Sequence, residues 1–155
     1  MVAEGFKLDV GCAFCQIVRG EQPARIVGDS SDTLAFFPLR PVCLGHTIVI
    51  PKAHVPDLWA AGSPPSAGLM QAVVRVGQAI NRVLRPDGMN LISSAGKAAS
   101  QTVFHLHLHV VPRWSGDHIG HIWPPGEPLG DQLKDETAAA IRAAYAVISA
   151  DSQPE

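Results

Sequence analysis

Apolar residues recur along the chain with two different spacings. Short apolar runs over residues 34–37 and 47–50, bounded by prolines and a glycine, predict two β-strands. Over residues 66–85, apolar side chains return every three or four positions while arginine and glutamine occupy the opposite face, which predicts an amphipathic helix. A Pro-Asp-Gly sequence ends this helix. A strand over residues 89–93 and a loop over residues 94–100 follow.

The clearest periodicity lies between Phe104 and Val110, where apolar residues alternate with three histidines. A period of two predicts a strand over residues 104–110 that carries the histidines on one face. A second helix is predicted over residues 133–149. Its expected inward side chains are Leu133, Ile141, Tyr145 and Ile148. Short strands around one long helix, without a repeated β–α–β unit, predict an α+β domain with a mostly antiparallel sheet.

Composition and charge narrow the class of protein. A chain of 155 residues fits one domain, and 46% hydrophobic with 17% charged residues is typical of a globular protein. A net charge of −2 gives no support for electrostatic capture of nucleic acid or an anionic membrane. The sequence has neither a secretory signal pattern nor an apolar run approaching the ~20 residues of a membrane span. We therefore expect a cytoplasmic protein without nucleic-acid or membrane partners.

The three alternating histidines, His105, His107 and His109, indicate a chemical site. Each imidazole needs hydrogen-bond partners when it is buried, and three protonated neighbours would repel one another. A strand rise of ~3.3 Å per residue separates successive histidine Cα atoms by about 6.6 Å, so two side chains can converge on one phosphoryl group or one metal. Two interpretations follow. The row could bind a zinc ion that activates water, or a neutral imidazole could act as the nucleophile.

Two of the three cysteines form a Cys12-x-x-Cys15 pair. In a reducing compartment this spacing indicates metal or redox chemistry. A thioredoxin-like redox pair would need a preceding strand in a β–α–β context, which the pattern does not predict. Two ordinary buried cysteines are a further alternative, and a structural zinc site would need two more ligands. Cys43 is interpreted as a small apolar residue.

Three sequence blocks resemble the histidine triad (HIT) superfamily. The segment QTVFHLHLHVVPR, which begins at Gln101, is similar to the family signature. GHTIVIPKAH, beginning at Gly45, is similar to its second block, and CAFCQIVRG, beginning at Cys12, is similar to its bacterial N-terminus. The blocks occur in the family's order over about residues 12–113. WPPG, beginning at Trp123, is similar to a C-terminal segment of the Hint branch.

The resemblance implies one HIT-like α+β domain over residues 1–155, with a core at about 12–113 and a C-terminal extension at 114–155. It implies a homodimer whose sheets join, and a pocket for a purine nucleotide of the AMP or GMP type. His107 would attack the α-phosphorus, and water would release a nucleoside monophosphate from the nucleotidyl-histidine. His109 would stabilise the phosphoryl charge.

The resemblance also implies the binding residues. The structural zinc ligands would be Cys12, Cys15, His54 and His105. The phosphate contacts would be Ser94, Gln101 and Thr102. The base pocket would be lined by Phe14, Ile17, Phe36, Leu39 and Ile48. His46 is expected to be a buried histidine that supports the row.

The chain departs from the family pattern at three positions. Pro38 stands where the family commonly contacts the ribose hydroxyls, Ser94 where it commonly has an amide, and Ser100 where it commonly has glycine. We interpret the chain as a zinc-bearing, Hint-like hydrolase of nucleoside 5′-phosphoramidates or related conjugates. The alternatives are a dinucleoside polyphosphate hydrolase of the Fhit type, a nucleotide-binding module with little turnover, and a hydrolase whose histidine row binds catalytic zinc.

Overall fold

A computed structural model describes residues 7–61 and 63–151 of the chain. The elements in chain order are α1 (Ala13–Val18), β1 (Arg25–Asp29), β2 (Thr33–Phe37), β3 (Thr47–Pro51), α2 (Ser63–Leu84), β4 (Gly88–Ser93), a 3₁₀ turn (Lys97–Ala99), β5 (Leu108–Arg113) and α3 (Asp131–Asp151). The strands form one sheet in the order β1-β2-β3-β5-β4, with every neighbouring pair antiparallel. The predicted α+β class with a mostly antiparallel sheet is confirmed.

The chain divides into two units between Gly120 and His121. All five strands, α1 and α2 belong to the first unit, and α3 belongs to the second. The single domain expected from the sequence, with an extension that starts at residue 114, stays a prediction.

The hydrophobic pattern predicts β2, β3, β4 and the two long helices to within three residues at each end. It predicts neither β1 nor α1. β1 is an edge strand with mostly exposed side chains, and its pairing shifts between Ile26 and Gly28, so it lacks a clean alternation. α1 has six residues, fewer than two helical turns, so an apolar period cannot repeat in it.

The strand predicted over residues 104–110 is wrong in its first half, because β5 begins at Leu108. β4 ends at Ser93, which pairs with Leu108, so β5 has no partner on that side before this residue. The preceding backbone bonds elsewhere, since the Leu106 N–H donates to the Val55 carbonyl at 2.6 Å. Leu106 and Leu108 are both buried, so the alternation of side chains persists although the ladder does not.

Apolar clusters lie on both faces of the sheet, and the histidines lie on the same face as the smaller cluster. On one face, buried residues of α2 pack against alternate residues of β2, β3 and β5. On the other face, a smaller cluster of Leu34, Phe36, Ile48 and Ile50 packs against α1. The strand register places Phe36 opposite Ile48, and Ile48 opposite His109. His109 therefore faces the α1 side of the sheet, next to an apolar surface.

The second unit contains α3, whose apolar side chains are exposed. Leu133, Ile141, Tyr145 and Ile148, which the helical period predicts as inward, are all more than half exposed. A 3.6-residue period identifies a helix but not what its apolar face packs against. Within the described ranges, no helix combines the length and the apolar character needed to cross a membrane.

The last turn of α2 offers a stability test. Arg85 follows the helix with φ +48°, in the left-handed region that favours glycine, and its N–H donates to the Asn81 carbonyl at 3.1 Å. Arg85→Gly is expected to raise the free energy of unfolding by about 0.5–1 kcal/mol. Arg82→Gly, inside the last helical turn, should instead lower it by about 1 kcal/mol. Urea unfolding of both variants measures this, and a loss of stability in both would contradict the strain at Arg85.

Candidate functional site

Four metal-ligating side chains converge from three separate segments. Cys12 lies immediately before α1 and Cys15 within it, His54 follows β3, and His105 precedes β5. Their ligand atoms all lie within 4.8 Å of one another. Cys12, Cys15 and His105 are buried, and His54 is half-buried. The sequence separates these residues by up to 93 positions, so the fold assembles the cluster.

The separations between the ligand atoms fit one tetrahedral ion. His54 Nδ1 lies 3.4 Å from Cys15 Sγ, and His105 Nδ1 lies 3.5 Å from both cysteine sulfurs. A tetrahedron with metal–sulfur bonds of ~2.3 Å and metal–nitrogen bonds of ~2.0–2.1 Å has sulfur–nitrogen edges of about 3.5 Å. The donor set of two thiols and two imidazoles could therefore hold a metal ion.

His105 is oriented as a metal ligand rather than as a hydrogen-bond donor to the cysteines. Its Nε2–H donates to the Pro51 carbonyl at 2.8 Å, so its Nδ1 carries the lone pair that faces both sulfurs. Burial is the main cause that lowers the pKa of His105 to about 4, which keeps the ring neutral. A neutral imidazole with its second nitrogen bonded to a carbonyl is the form in which histidine binds metals.

Residues that precede the cysteine pair surround the cluster with polar contacts. The Asp9 N–H donates to Cys15 Sγ at 3.4 Å, and an Asp9 carboxylate oxygen lies 4.0 Å from His54 Nε2. The backbone N–H of His54 donates to the Lys7 carbonyl at 2.8 Å. Sequence reasoning misses Asp9, because a single acidic residue before a short helix has no signal of its own. Asp9 thus lies next to both Cys15 and His54, with a hydrogen bond to the sulfur only.

His107 is buried beside this cluster, and among the described residues only its Nδ1 has a hydrogen-bond partner. Its Nδ1–H donates to the His105 carbonyl at 2.6 Å, since a carbonyl can only accept. Nε2 of the neutral ring therefore carries the lone pair. Burial lowers the pKa of His107, opposed by the bond to His105. The ring is thus held neutral, in one tautomer, which is the state of a nitrogen nucleophile.

A chain of hydrogen bonds also fixes the tautomer of His109. The Val42 N–H donates to His46 Nδ1 at 3.2 Å, so neutral His46 carries its proton on Nε2. That Nε2–H donates to His109 Nδ1 at 2.9 Å. His109 must then carry its own proton on Nε2. Burial, followed by the neighbouring His107 and His46, lowers the pKa of His109 to about 4.

The His107 and His109 rings lie side by side, with centroids 4.9 Å apart. One ring presents a lone pair and the other presents an N–H, so an electrophilic phosphorus and its oxygens could contact both. His46 is expected from the sequence to be a buried histidine that supports the row, and its hydrogen bond to His109 agrees with this expectation. The donation from Val42 has no sequence signal, because it depends on the loop conformation before β3.

Four of the five expected base-pocket residues lie together. Phe14 and Ile17 of α1 pack against the buried Phe36 and Ile48. The Phe14 ring meets the Phe36 ring edge to face at 5.4 Å between centroids, and the His107 ring at 5.3 Å. Leu39 differs, since its side chain is 92% exposed. The other four form one apolar cluster, and its Phe14 ring borders His107.

The three expected phosphate contacts differ in their surroundings. The Gln101 side chain is buried and its polar atoms are bonded within the protein: Oε1 accepts from the Gly96 N–H at 2.8 Å, and Nε2 donates to the carbonyls of Val103 and of Pro56, which follows β3. Gln101 therefore braces the loop before β5. Ser94 is half-buried and Thr102 is exposed. Their contacts with phosphate stay predictions.

Comparison with known proteins identifies the family. The sequence model of the HIT domain matches residues 19–116, more than half of the chain. The chain belongs to the HIT family. Among HIT relatives, Protein hit of Bacillus subtilis is 33% identical over 136 residues, which span 87% of this chain and 92% of that protein.

Two further relatives bear on the site. A Zn-bound histidine triad family protein from Mycobacterium smegmatis is 37% identical, with a TM-score of 0.68 over 92% of this HIT chain and 98% of that chain. The adenylylsulfatase HINT3 of Arabidopsis thaliana is 35% identical over 116 residues, 74% of this chain and 58% of that protein.

The depressed pKa of His109 predicts how the stability of this HIT protein depends on pH. The ordinary value of 6.5 applies to the unfolded chain and about 4 to the folded chain, so only the unfolded chain gains a proton between these values. The free energy of unfolding should fall as the pH drops from about 6.5 to 4, by at most about 1.4 kcal/mol per pH unit for this residue. Urea unfolding from pH 7.5 to 4.5 measures the slope. This slope should be smaller in His109→Asn than in the wild type and unchanged in His118→Asn. Equal slopes in the wild type and both variants would contradict the lowered pKa of His109.

Proposed function

We propose that this HIT protein hydrolyses purine nucleoside 5′-phosphoramidates or related nucleotide conjugates through a nucleotidyl-histidine intermediate on His107. The observation that carries the proposal is the tautomer of His107. Its Nδ1–H is bonded to the His105 carbonyl, which leaves the lone pair on Nε2, and the ring lies against Phe14 of the apolar cluster that is expected to contact the base. This arrangement suits attack on phosphorus near neutral pH.

The reaction has two balanced steps. First, the Nε2 lone pair of His107 attacks the α-phosphorus, the P–N bond breaks, and the amine leaves with a proton taken from solvent. The positive charge on the ring is then shared with the His105 carbonyl through Nδ1–H. Second, water attacks the same phosphorus, the P–Nε2 bond breaks, and a proton returns to solvent. A nucleoside monophosphate and neutral His107 result.

His109 would stabilise the charge that develops on the phosphoryl oxygens. Its Nε2–H is fixed by the His46 bond and needs no reorganisation when the transition state forms. Because both rings are neutral at pH 7, the row does not repel itself. His46 would be a positioning residue for His109.

We propose zinc as the metal of the four-residue cluster. Cys12, Cys15, His54 and His105 would hold it, and two thiols with two imidazoles are a preferred donor set of structural zinc. The Zn-bound relative from Mycobacterium smegmatis supports this choice. The ion would cross-link the segments around the site, and a set of four protein ligands leaves no position for a reactive water. The expected cytoplasmic location suits the two unpaired thiols.

A row that binds catalytic zinc is a weaker interpretation. His105 directs its metal-binding nitrogen toward the cysteines, and His109 Nδ1 accepts from His46. The three rings therefore do not offer three lone pairs to one ion.

The leaving group has two leading candidates. An amine is favoured by the Hint-like sequence blocks, and sulfate is the candidate that the relative named an adenylylsulfatase suggests. Both require the same attack on the α-phosphorus. We expect turnover of adenosine 5′-phosphoramidate to exceed turnover of diadenosine polyphosphates, with adenosine 5′-phosphosulfate as the second substrate tested. AMP release from the diadenosine compounds alone would favour the Fhit-type alternative, and binding without release would favour a nucleotide-binding module.

We also propose a homodimer that forms at the β4 edge. β4 is an outer strand that exposes Met89 and Leu91, and α2 exposes Met70 and Val74. Pairing of two β4 edges would join the sheets and cover apolar surface. Sedimentation at micromolar concentration should give a dimer that Leu91→Glu weakens and Val83→Glu does not. A monomeric wild-type protein would overturn this proposal.

The presence of Pro38 predicts that the protein discriminates only weakly between ribose and deoxyribose nucleotides. Proline has no side-chain donor or acceptor, so no buried polar partner is left unpaired when the 2′-hydroxyl is missing. AMP and deoxy-AMP should bind with affinities within about tenfold of each other. Calorimetric titration of both nucleotides measures the ratio, with Pro38→Asp expected to increase the preference for AMP. A hundredfold preference in the wild type would mean that another residue binds the ribose.

A further inference from the structure

Phe14 lies between the metal cluster, meaning the four side chains Cys12, Cys15, His54 and His105, and the proposed nucleotide site. It stands between Cys12 and Cys15 in the sequence, on the first turn of α1. Its ring meets three other rings edge to face, with centroid distances of 5.3 Å to His107, 5.4 Å to Phe36 and 5.9 Å to His105. The same side chain therefore borders the metal ligands, the attacking histidine and the base pocket.

α1 is held on the sheet by the two cysteine side chains and by the packing of Phe14 and Ile17 against the Phe36 cluster. It is only six residues long, and an isolated helix of this length is unstable in water. Cys15 is its one fully buried residue, and no side-chain hydrogen bond caps its first turn among the described residues. Because the two sulfurs fix the start of this short helix, the exact position of the Phe14 ring should depend on whether an ion holds them, in addition to the apolar packing.

His105 makes a second connection between the same two sites. Its ring nitrogen faces the cysteine sulfurs, while its carbonyl accepts the Nδ1–H of His107 at 2.6 Å. A shift of the His105 backbone would change the orientation of the nucleophile. One connection therefore reaches His107 through Phe14, and the other reaches it directly from His105.

We propose that Phe14 is a positioning residue that couples metal binding to nucleotide binding. An ion held by the cysteines fixes α1, α1 fixes the Phe14 ring, and the ring completes the surface for the base beside His107. The inference rests on the proposed function, since it takes the surface around Phe14 as the nucleotide site. The activity would then depend on metal availability although no reaction step uses the metal.

Coupling of this kind is reciprocal. If zinc raises the affinity for AMP by some factor, AMP must raise the affinity for zinc by the same factor. We expect a factor within the typical range of about 5- to 150-fold. The zinc affinity of the full chain, measured by competition with a chromogenic chelator, should rise by this factor in saturating AMP. The AMP affinity of zinc-loaded over metal-free protein, measured by calorimetry, should give the same factor.

Matched variants separate the role of the Phe14 ring from a general effect on folding. In Phe14→Leu, the zinc affinity without AMP should stay close to that of the wild type, while the coupling factor falls toward one. Phe14→Tyr keeps the ring and should keep the coupling. Phe37→Leu makes the same change on β2, among residues that pack toward α2 rather than α1, and should also keep it.

Each outcome decides the inference. Equal zinc affinity with and without AMP, in a loaded protein that does bind AMP, would overturn the coupling but leave the proposed function intact. A full coupling factor in Phe14→Leu would overturn the role of the ring. Failure of the zinc-loaded protein to bind AMP at all would end both the proposed function and this inference. If the metal-free protein unfolds, the rise of zinc affinity in saturating AMP is still compared between Phe14→Leu and Phe37→Leu. The difference between the two rises measures the part of the coupling that Phe14 carries.

Discussion

Replacement of His107 by alanine is expected to lower turnover by roughly 10⁴-fold or more, because covalent catalysis fails without the attacking nitrogen. The fold and the metal content should be unchanged, since the His107 ring is not among the four side chains that converge on the metal cluster. AMP should still bind, because the Phe14, Phe36 and Ile48 surface and His109 remain. Turnover of adenosine 5′-phosphoramidate, zinc content and AMP affinity of the same preparation measure the three effects.

The exposed His118 provides the matched control, and His118→Ala should retain turnover and zinc. Loss of zinc together with activity in His107→Ala would instead support a histidine row that binds catalytic zinc. Turnover within tenfold of the wild type would exclude His107 as the nucleophile.

Replacement of both Cys12 and Cys15 by serine is expected to remove the metal and to lower the free energy of unfolding by roughly 3 kcal/mol or more. The reason is that an ion held by the four side chains would link three segments that are distant in sequence, so its binding would be coupled to folding. Metal analysis and urea unfolding, each in the presence of excess zinc, measure the two losses.

Cys43→Ser is the control for this pair, because Cys43 lies apart from the cluster, with its thiol donating to the Pro112 carbonyl at 3.3 Å. It should keep its metal and lose far less stability. Full zinc occupancy in the double variant would show that other residues bind the ion, and an equal loss of stability in Cys43→Ser would remove the argument from metal binding.

Sequence periodicity predicts the elements that bury a regular face. From Leu69 to Ile80, α2 repeats its buried apolar positions against the sheet, and β2 and β3 are almost fully buried, so both signals are strong. The sequence does not predict β1, because an exposed edge strand does not require apolar and polar residues to alternate. The overextended strand before Leu108 has a different cause. Alternating side chains report which way residues point, whereas a strand also needs a partner, and β4 provides none beyond Ser93.

The candidate site was predictable in its residues but not in its connections. The sequence blocks bring together the two cysteines, His54 and the histidine row. They do not indicate that His105 turns toward the cysteines while its carbonyl orients His107. The bond from the Val42 backbone that fixes His46, and through it His109, depends on the fold of a loop. Leu39 follows the pocket pattern in sequence yet is exposed, because it lies in the irregular segment after β2 ends at Phe37.

The central claim is that the Nε2 atom of His107 forms a bond to the α-phosphorus. Wild-type protein should be mixed with adenosine 5′-phosphoramidate, quenched with denaturant at alkaline pH during turnover, digested and analysed by mass spectrometry. We expect one adenylyl group on the peptide that spans the histidine row, located on His107, labile to acid and absent from His107→Ala. Active turnover that leaves no adduct in any quench, or an adduct on His109 that persists in His107→Ala, would contradict the account.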